Sequence, residues 1–578
     1  VTETTLSPSY LRWDGSDSMP PDVREALLGA GMPFELVVEP VLGQDQPVFV
    51  QRPRTLRAML DGTAENLLDT TYLVGPGRRW TYREALDDID ALAVLLAERQ
   101  GVRAGDRVAI VAANHAEYAL LIWAVVSLGG IVTSLNGWWT TPELAHGIEL
   151  TGPVLIAGDE RRLARLTDDT VPAGAPVVRL DELLVQAAEF HGRRPAPPEI
   201  TEDSPAVILF TSGTTGRPKG ATLSHRNIIN FAMINRLGAA AGKLAAGVMG
   251  GAAQGCVILS SPMFHVSGLV ATFVTGGAFA TRLVFPPVGP WDPRTWLELT
   301  QEHRVTTWSG VPTQFWRLLR HPNLEDFDLS SVSTIGAGGA LYPPELVRLM
   351  HERFPQVVLG NGYGMSETFG LGTRTSGQRF VTVPDAVGRA EATVEVQIRD
   401  DEGVVLPAGA VGEIHLRTPS VFLGYWDDPA ATAQVLDAER WYRTGDYGRI
   451  SEGALHLVSR RRDMILRGGE NVYPIEIENR LVSHPDIDDA AVIGIPSVEF
   501  GEDVKAFVVV RTGASLDAQQ VRDWCAAALA RFKVPSDVEF REALPYSATG
   551  KLLKRQLELE EAGAVPPLSP VPTTGEPV

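Results

Sequence analysis

The sequence predicts an α/β protein. A large N-terminal domain of doubly wound sheets, carrying a β-rich subdomain, is followed by a small α+β C-terminal domain. Three observations predict it. Between residues 81 and 365, apolar strand-like runs alternate with helical periods, the rhythm of parallel sheets with crossover helices. From about residue 385 the texture changes to short alternating strands punctuated by Gly and Pro. Past the charged run that begins at Arg460, a compact segment again mixes strands with helix. The chain divides into an arm (1–50), a large domain (51–461, β-rich from about 385), a C-terminal domain (462–560) and a proline-rich, disordered tail (561–578).

The elements follow in order. The first 50 residues carry prolines without a steady period and read as an irregular arm lying on the body. Thr81-Tyr82-Arg83-Glu84 is a capping box; Leu86, Ile89, Ala93 and Leu96 then share a helix face until Gly101 ends it. Residues 107–113 read as a strand, about 115–128 as a helix, and GGIVTSL as the next strand. The rhythm recurs at 153–159, AVILFT, the Trp308 region, STIGAGG and VVLGNGYG. TVEVQI and GEIHLR alternate like antiparallel strands; DAAVIGI and DVKAFVVV are strands, and 516–531 a helix ending near Pro535.

The stretch from Ile208 to His225 is the most informative. Its buried strand runs into a loop holding Thr211, Ser212, Gly213, Thr214, Thr215, Gly216, Lys219 and Gly220. Glycines let backbone N–H groups approach phosphate oxygens, and the hydroxyls and lysine add donors and charge. It is not the common P-loop, in which lysine follows the second glycine directly; here Arg217 and Pro218 intervene. The loop sits where a doubly wound sheet binds ligands, at a strand's carboxyl end. In NGYGMSET, Tyr363 offers a flat face for a base and Glu367 a hard oxygen suited to Mg²⁺. In WYRTGDYGR, Asp446 has the chemistry to accept from two ribose hydroxyls, or is a plain turn aspartate. In YSATGKLLKRQL, Gly550 turns the chain and Lys551 opens a basic helix, a setting in which a lone lysine is usually solvated.

Bulk properties narrow the class. With 44% hydrophobic and 21% charged residues, the 578-residue chain has the balance of an ordinary globular enzyme. A net charge of −20 argues against a nucleic-acid or anionic-membrane surface. Cys256 and Cys525, the only cysteines, allow neither a disulfide framework nor a cysteine metal site. No signal pattern and no convincing membrane span appear, so a cytoplasmic protein is expected.

In combination and order, these segments resemble the adenylate-forming superfamily of acyl-CoA synthetases, luciferases and adenylation domains. The likeness runs from about residue 50 to 560 and is strongest to acyl-CoA synthetases, through RGGENVYPIEIE and PMFHVSG. The resemblance implies a mobile C-terminal domain hinged at Arg462, where the family commonly has Asp or Lys. It implies ATP, Mg²⁺ and CoA as cofactors. Thr211, Ser212, Gly213, Thr214, Thr215 and Lys219 match the β- and γ-phosphate grip. Gly338, Gly339, Ala340 and Tyr363 match the adenine sandwich, Thr368 an α-phosphate contact, and Glu367 the metal ligand. Asp446 and Arg460 match the ribose contacts. His265 matches a residue beside the acyl carboxylate, and Lys551 the lysine bridging carboxylate and α-phosphate. An acyl pocket is expected around His265, Val266, Gly268, Gly310, Val311, Gly336, Gly338 and Gly362. The pocket segments hold no carboxylate to pair with an α-amino group, which favours an apolar acid: fatty, aromatic, or bulky and polycyclic such as a steroid or terpenoid acid. The alternative acyl acceptor is a separate carrier protein or partner enzyme, and a homodimer is allowed. A non-catalytic nucleotide-binding chain is disfavoured because Lys219, Glu367, Asp446 and Lys551 occur together. A serine hydrolase is disfavoured by the lack of a G-x-S-x-G elbow.

Overall fold

A computed structural model describes residues 9–13, 19–211, 217–247, 253–338, 342–460, 463–467, 470–497, 500–546 and 552–563. The described chain is a mixed α/β structure with a large N-terminal sheet domain and a smaller C-terminal domain. The large part holds a fourteen-stranded and a seven-stranded sheet; a two-stranded hairpin and a five-stranded C-terminal sheet complete the set.

The parallel core of the larger sheet lies side by side in the strands Cys256–Ile258, Thr307–Ser309, Thr334–Gly338 and Val358–Tyr363. Thr373–Ser376 then pairs antiparallel with Val358–Tyr363, and the β-rich strands continue the same sheet instead of forming a separate one. In the second sheet, Arg107–Val111, Ile131–Ser134 and Pro205–Thr211 run parallel. Helix Tyr82–Glu98 opens on the expected capping box, with Thr81 and Glu84 bonding each other's backbone N–H. Helix Ala116–Ser127 is apolar on every side, so it must be surrounded; all its residues except Glu117 are buried. Its Trp123 meets Phe273 edge-on at 4.9 Å and lies where a Cβ on Gly277 would fall 2.5 Å from the indole. Glycine there is a packing requirement.

Four sequence expectations need correction. The described residues among the first 50 are not irregular: Tyr10–Arg12 adds a strand to the large sheet, Pro21–Leu28 is a helix, and Leu36–Val41 pairs with Gln44–Phe49 as a hairpin. Short, unevenly spaced apolar residues hid these elements. The Thr211 loop does not leave for a crossover helix, because Lys219–Ser224 returns antiparallel to Pro205–Thr211. The helix expected over 516–531 spans only Ala518–Ala526, capped by Asp517. The last helix begins at Lys554 instead of Lys551, since Leu552 pairs with Tyr546 and Leu553 N–H donates to the Pro545 carbonyl at 2.9 Å.

Candidate active site

Thr211 and Lys219 face each other in register at the loop end of the hairpin, so the two residues flanking the glycine-rich loop are held side by side. Gly220 is obligatory behind them: a Cβ would fall 2.9 Å from Ile208 and 3.4 Å from Trp426. The gap admits strand Gly424–Tyr425, whose flanks bond the hairpin through Trp426 N–H to Gly220 O at 2.7 Å and Leu423 N–H to Thr222 O at 2.8 Å. This brings the Tyr425 ring to Lys219, whose ammonium lies 5.2 Å from the ring centroid.

The Tyr425 hydroxyl in turn donates to Glu367 Oε1 at 2.9 Å. Glu367 is buried on the short helix Ser366–Thr368, and its carbonyl accepts from Phe422 N–H at 2.8 Å. Burial and the Glu367 charge push the Tyr425 hydroxyl well above its ordinary pKa, so it stays a donor at working pH. The turn that presents Glu367 requires its glycines: a Cβ on Gly364 would fall 2.3 Å from the Gly370 backbone, and Phe369 adopts φ 52°. Thr368 is buried beside Glu367 and its Oγ1 donates to the Met365 carbonyl at 3.3 Å.

A second cluster lies across Tyr442, a buried residue whose hydroxyl is held well above its ordinary pKa by burial and by the Glu367 charge. Tyr363 ends strand Val358–Tyr363 and donates to Asp446 Oδ2 at 3.0 Å. Asp446 stands opposite Arg460 in the register of strands Tyr442–Ser451 and Ala454–Arg460.

The expected acyl residues gather at the carboxyl ends of the four adjacent parallel strands. His265 follows Cys256–Ile258, and Gly310 and Val311 follow Thr307–Ser309. Gly336, Gly338 and Gly362 lie on the neighbouring pair, with Gly338 directly opposite Gly362. His265 is the N-cap of helix Val266–Leu269, half-buried, its ring 4.8 Å from Phe264 and 6.4 Å from Trp138. Gly268 packs against the loop before it, where a Cβ would fall 2.2 Å from the Pro262 carbonyl oxygen. Val266 reaches the turn that carries Glu367, with its Cγ2 3.7 Å from a Cβ placed on Gly370. A Cβ on Gly336 would meet nothing within 4 Å. Ser212, Gly213, Thr214, Thr215, Gly339, Ala340, Arg462, Lys551 and the side chain of Arg460 lie outside the described residues. Sequence reasoning missed Tyr425, which joins Lys219 to Glu367; Gly-Tyr-Trp between two loops carries no chemical signature that would single it out.

The family model for AMP-binding enzymes matches residues 60–426, and that for the AMP-binding enzyme C-terminal domain matches residues 476–551. The chain belongs to the AMP-binding enzyme family. It is an AMP-forming acid–thiol ligase that uses ATP, CoA and a small carboxylic acid. A propanoyl:CoA ligase of Mycobacterium tuberculosis, named for a methyl-dioxo-octahydroindenyl acyl chain, is 35% identical over 531 residues, covering 87% of this chain and 98% of that protein. A feruloyl-CoA synthase of Amycolatopsis is 34% identical over 496 residues, covering 83% and 94%. The ATP-bound structure of MatB from Rhodopseudomonas palustris superposes with a TM-score of 0.78 at 31% identity, covering 88% of this chain and 99% of that one; its apo form gives 0.69. Among the described residues, no helix is long and apolar enough to cross a membrane.

Proposed function

We propose that this ligase activates a bulky apolar carboxylic acid as its acyl-adenylate, releasing pyrophosphate, and transfers the acyl group to CoA. One observation carries the reading: Tyr425 joins Lys219 at the phosphate hairpin to Glu367, 2.9 Å away, on the turn that Val266 of the acyl segment also reaches. The acid is already ionised at neutral pH, so its attack on the α-phosphorus needs no general base. What it needs is relief of anion–anion repulsion, alignment, and a stabilised leaving group.

In this reading Thr211, Lys219 and the loop between them hold the pyrophosphate side, Tyr363 and Asp446 the nucleoside, and His265 the acid. Lys551, on its match to the family motif, bridges the acid and the α-phosphate. Lys551→Ala is then expected to abolish pyrophosphate exchange while thioester formation from preformed acyl-adenylate continues. Among the described residues no group of three or more His, Cys, Asp or Glu side chains is placed to hold a metal. Mg²⁺ fits nonetheless, because it is usually bound by one or two carboxylates together with phosphate oxygens and water, and Glu367 supplies one buried carboxylate. When bound it would neutralise phosphate charge.

The substrate class rests on the glycine wall. Gly336 and Gly338 present no side chain where the acyl segments converge, and space beyond Gly336 is open. The relatives named for octahydroindenyl-propanoyl and feruloyl groups point to a ring-bearing acid. Both cysteines are buried free thiols, which suits a reducing, cytoplasmic compartment. The test is ATP–pyrophosphate exchange over a panel of straight-chain, aromatic and polycyclic acids, with mass spectrometry of products with and without CoA. Acid-dependent exchange and acyl-CoA formation, best with ring-bearing acids, are expected. Acyl-AMP that accumulates unchanged in the presence of CoA would overturn the thioester step.

A further inference from the structure

The loop that presents His265 is not held by its own strand and helix alone. Asn114, in the bend between strand Arg107–Val111 and helix Ala116–Ser127, reaches across to it. Its Nδ2 donates to the carbonyls of Leu259 at 2.9 Å and Ser261 at 2.8 Å, and its Oδ1 accepts from Met263 N–H at 2.9 Å. Both amide hydrogens are therefore used on alternate carbonyls of one loop, and the oxygen fixes the next N–H along. Arg107–Val111 belongs to the seven-stranded sheet and Cys256–Ile258 to the fourteen-stranded one, so this one amide clips the two sheets together beside the acyl segments.

The loop is also fixed beyond the clip. Met263 and Phe264 are buried, His265 N–H donates to the Pro262 carbonyl at 3.0 Å, and Gly268 lets the helix close onto that same carbonyl. His265 is the first half-buried side chain past this anchor. The side chain of Asn114 is itself only half-buried, in the bend before an otherwise enclosed helix. An asparagine there is not needed to fill a core. Its three bonds all go to the one loop that ends in His265.

We propose that Asn114 is a positioning residue for acid binding: it holds residues 259–263 in the form that aims His265 at the acyl carboxylate. This rests on the reading of His265 given above. A misplacement of about 1 Å, caused by a change away from the reacting atoms, costs up to about 100-fold in activity.

The test is a double-mutant cycle with Asn114→Asp and His265→Ala, read as KM for the acid and KM for ATP in pyrophosphate exchange, with thermal unfolding alongside. Asn114→Asp keeps the size and the acceptor but sets a carboxylate oxygen against two carbonyls. KM for the acid is expected to rise roughly 10-fold, KM for ATP to stay within about twofold, and the two substitutions to be non-additive, since without His265 there is nothing left to aim. If Asn114→Asp does not fold at the assay temperature, Asn114→Ser, which only deletes bonds, is read in the same cycle with the same expected direction. Additive effects, equal rises in both KM values, or no rise while His265→Ala does raise the acid KM would overturn the proposal alone. An unchanged acid KM in His265→Ala would overturn the reading of His265 and the proposal with it.

Discussion

The Tyr425 ring faces the Lys219 ammonium while its hydroxyl donates to Glu367, so one side chain sets the spacing between a cation and a buried carboxylate. Tyr425→Phe keeps the ring and deletes the donor. A hydrogen bond to a charged, buried group is worth about 1.5–3 kcal/mol, so pyrophosphate exchange is expected to fall roughly 10- to 100-fold. Tyr425→Leu, which also removes the face offered to Lys219, should fall further, and calorimetric ATP binding should weaken in the same order. Wild-type exchange in Tyr425→Phe would show that Glu367 is placed without it. His225 supplies a pH prediction of a different kind. It is fully buried, its Nδ1 accepts from Leu56 N–H at 3.1 Å, and burial pushes its pKa from 6.5 down to about 4. The folded state thus resists a proton that the unfolded chain takes up below its own pKa. The stability this neutral ring contributes is full above about pH 6.5 and is lost as pH falls toward 4, by about 3 kcal/mol in all. His225→Asn keeps an acceptor for Leu56 and should flatten that part of the profile in denaturant unfolding between pH 7 and 4.5. Parallel profiles for the two proteins would refute the assignment.

At the scale of elements, the paired strands Thr334–Gly338 and Val358–Tyr363 shape the acyl side by what they leave out. A Cβ on Gly336 enters open space, and the backbone there is not in the left-handed region, so Gly336→Leu should fold without strain. It fills the space instead: kcat/KM for polycyclic acids is expected to fall at least about 10-fold while short straight-chain acids lose less than about threefold, as a clash inside a packed pocket requires. Equal losses for both would place Gly336 outside the pocket. These strands also show what was legible in the sequence. Apolar runs ending in glycine gave the parallel strands, and Thr211, Lys219, Glu367 and Asp446 stood out as residue types that phosphate, metal and ribose chemistry would use. Tyr425 and Asn114 did not stand out. Their importance comes from partners far away in sequence, Glu367 for the one and Leu259 to Met263 for the other, and no local period records such pairings. The N-terminal strand was hidden for the same reason, since Tyr10–Arg12 is a strand only because Glu395–Arg399 is there to receive it.

For the molecule as a whole, the arrangement is nearer that of an ATP-bound relative than that of the same relative's apo form. Since those two share one sequence, the difference reflects how parts are arranged and not which fold they have. Among the described residues an ion pair joins the end of a helix of the large domain to the C-terminal sheet in this arrangement. Arg320, at the end of helix Pro312–Leu319, lies 2.9 Å from Asp488 on strand Ile487–Ser497, and Arg511 approaches the same carboxylate at 3.3 Å. Both partners of the first pair are about a third exposed, so it is screened and worth at most about 1 kcal/mol. That is too little to decide the fold, yet enough to bias a balance between two domain orientations, should the C-terminal domain turn as the resemblance implies. Arg320→Glu turns attraction into repulsion in this orientation alone. Pyrophosphate exchange is expected to fall about two- to fivefold at low ionic strength, with the deficit shrinking in added salt, while thioester formation from preformed acyl-adenylate is unchanged. Adding Asp488→Arg to Arg320→Glu restores opposite charges across the contact, though it faces Arg511, and should recover part of the exchange rate. A matching loss in both half-reactions, or no recovery in the double variant, would mean that the pair does not select the adenylating orientation.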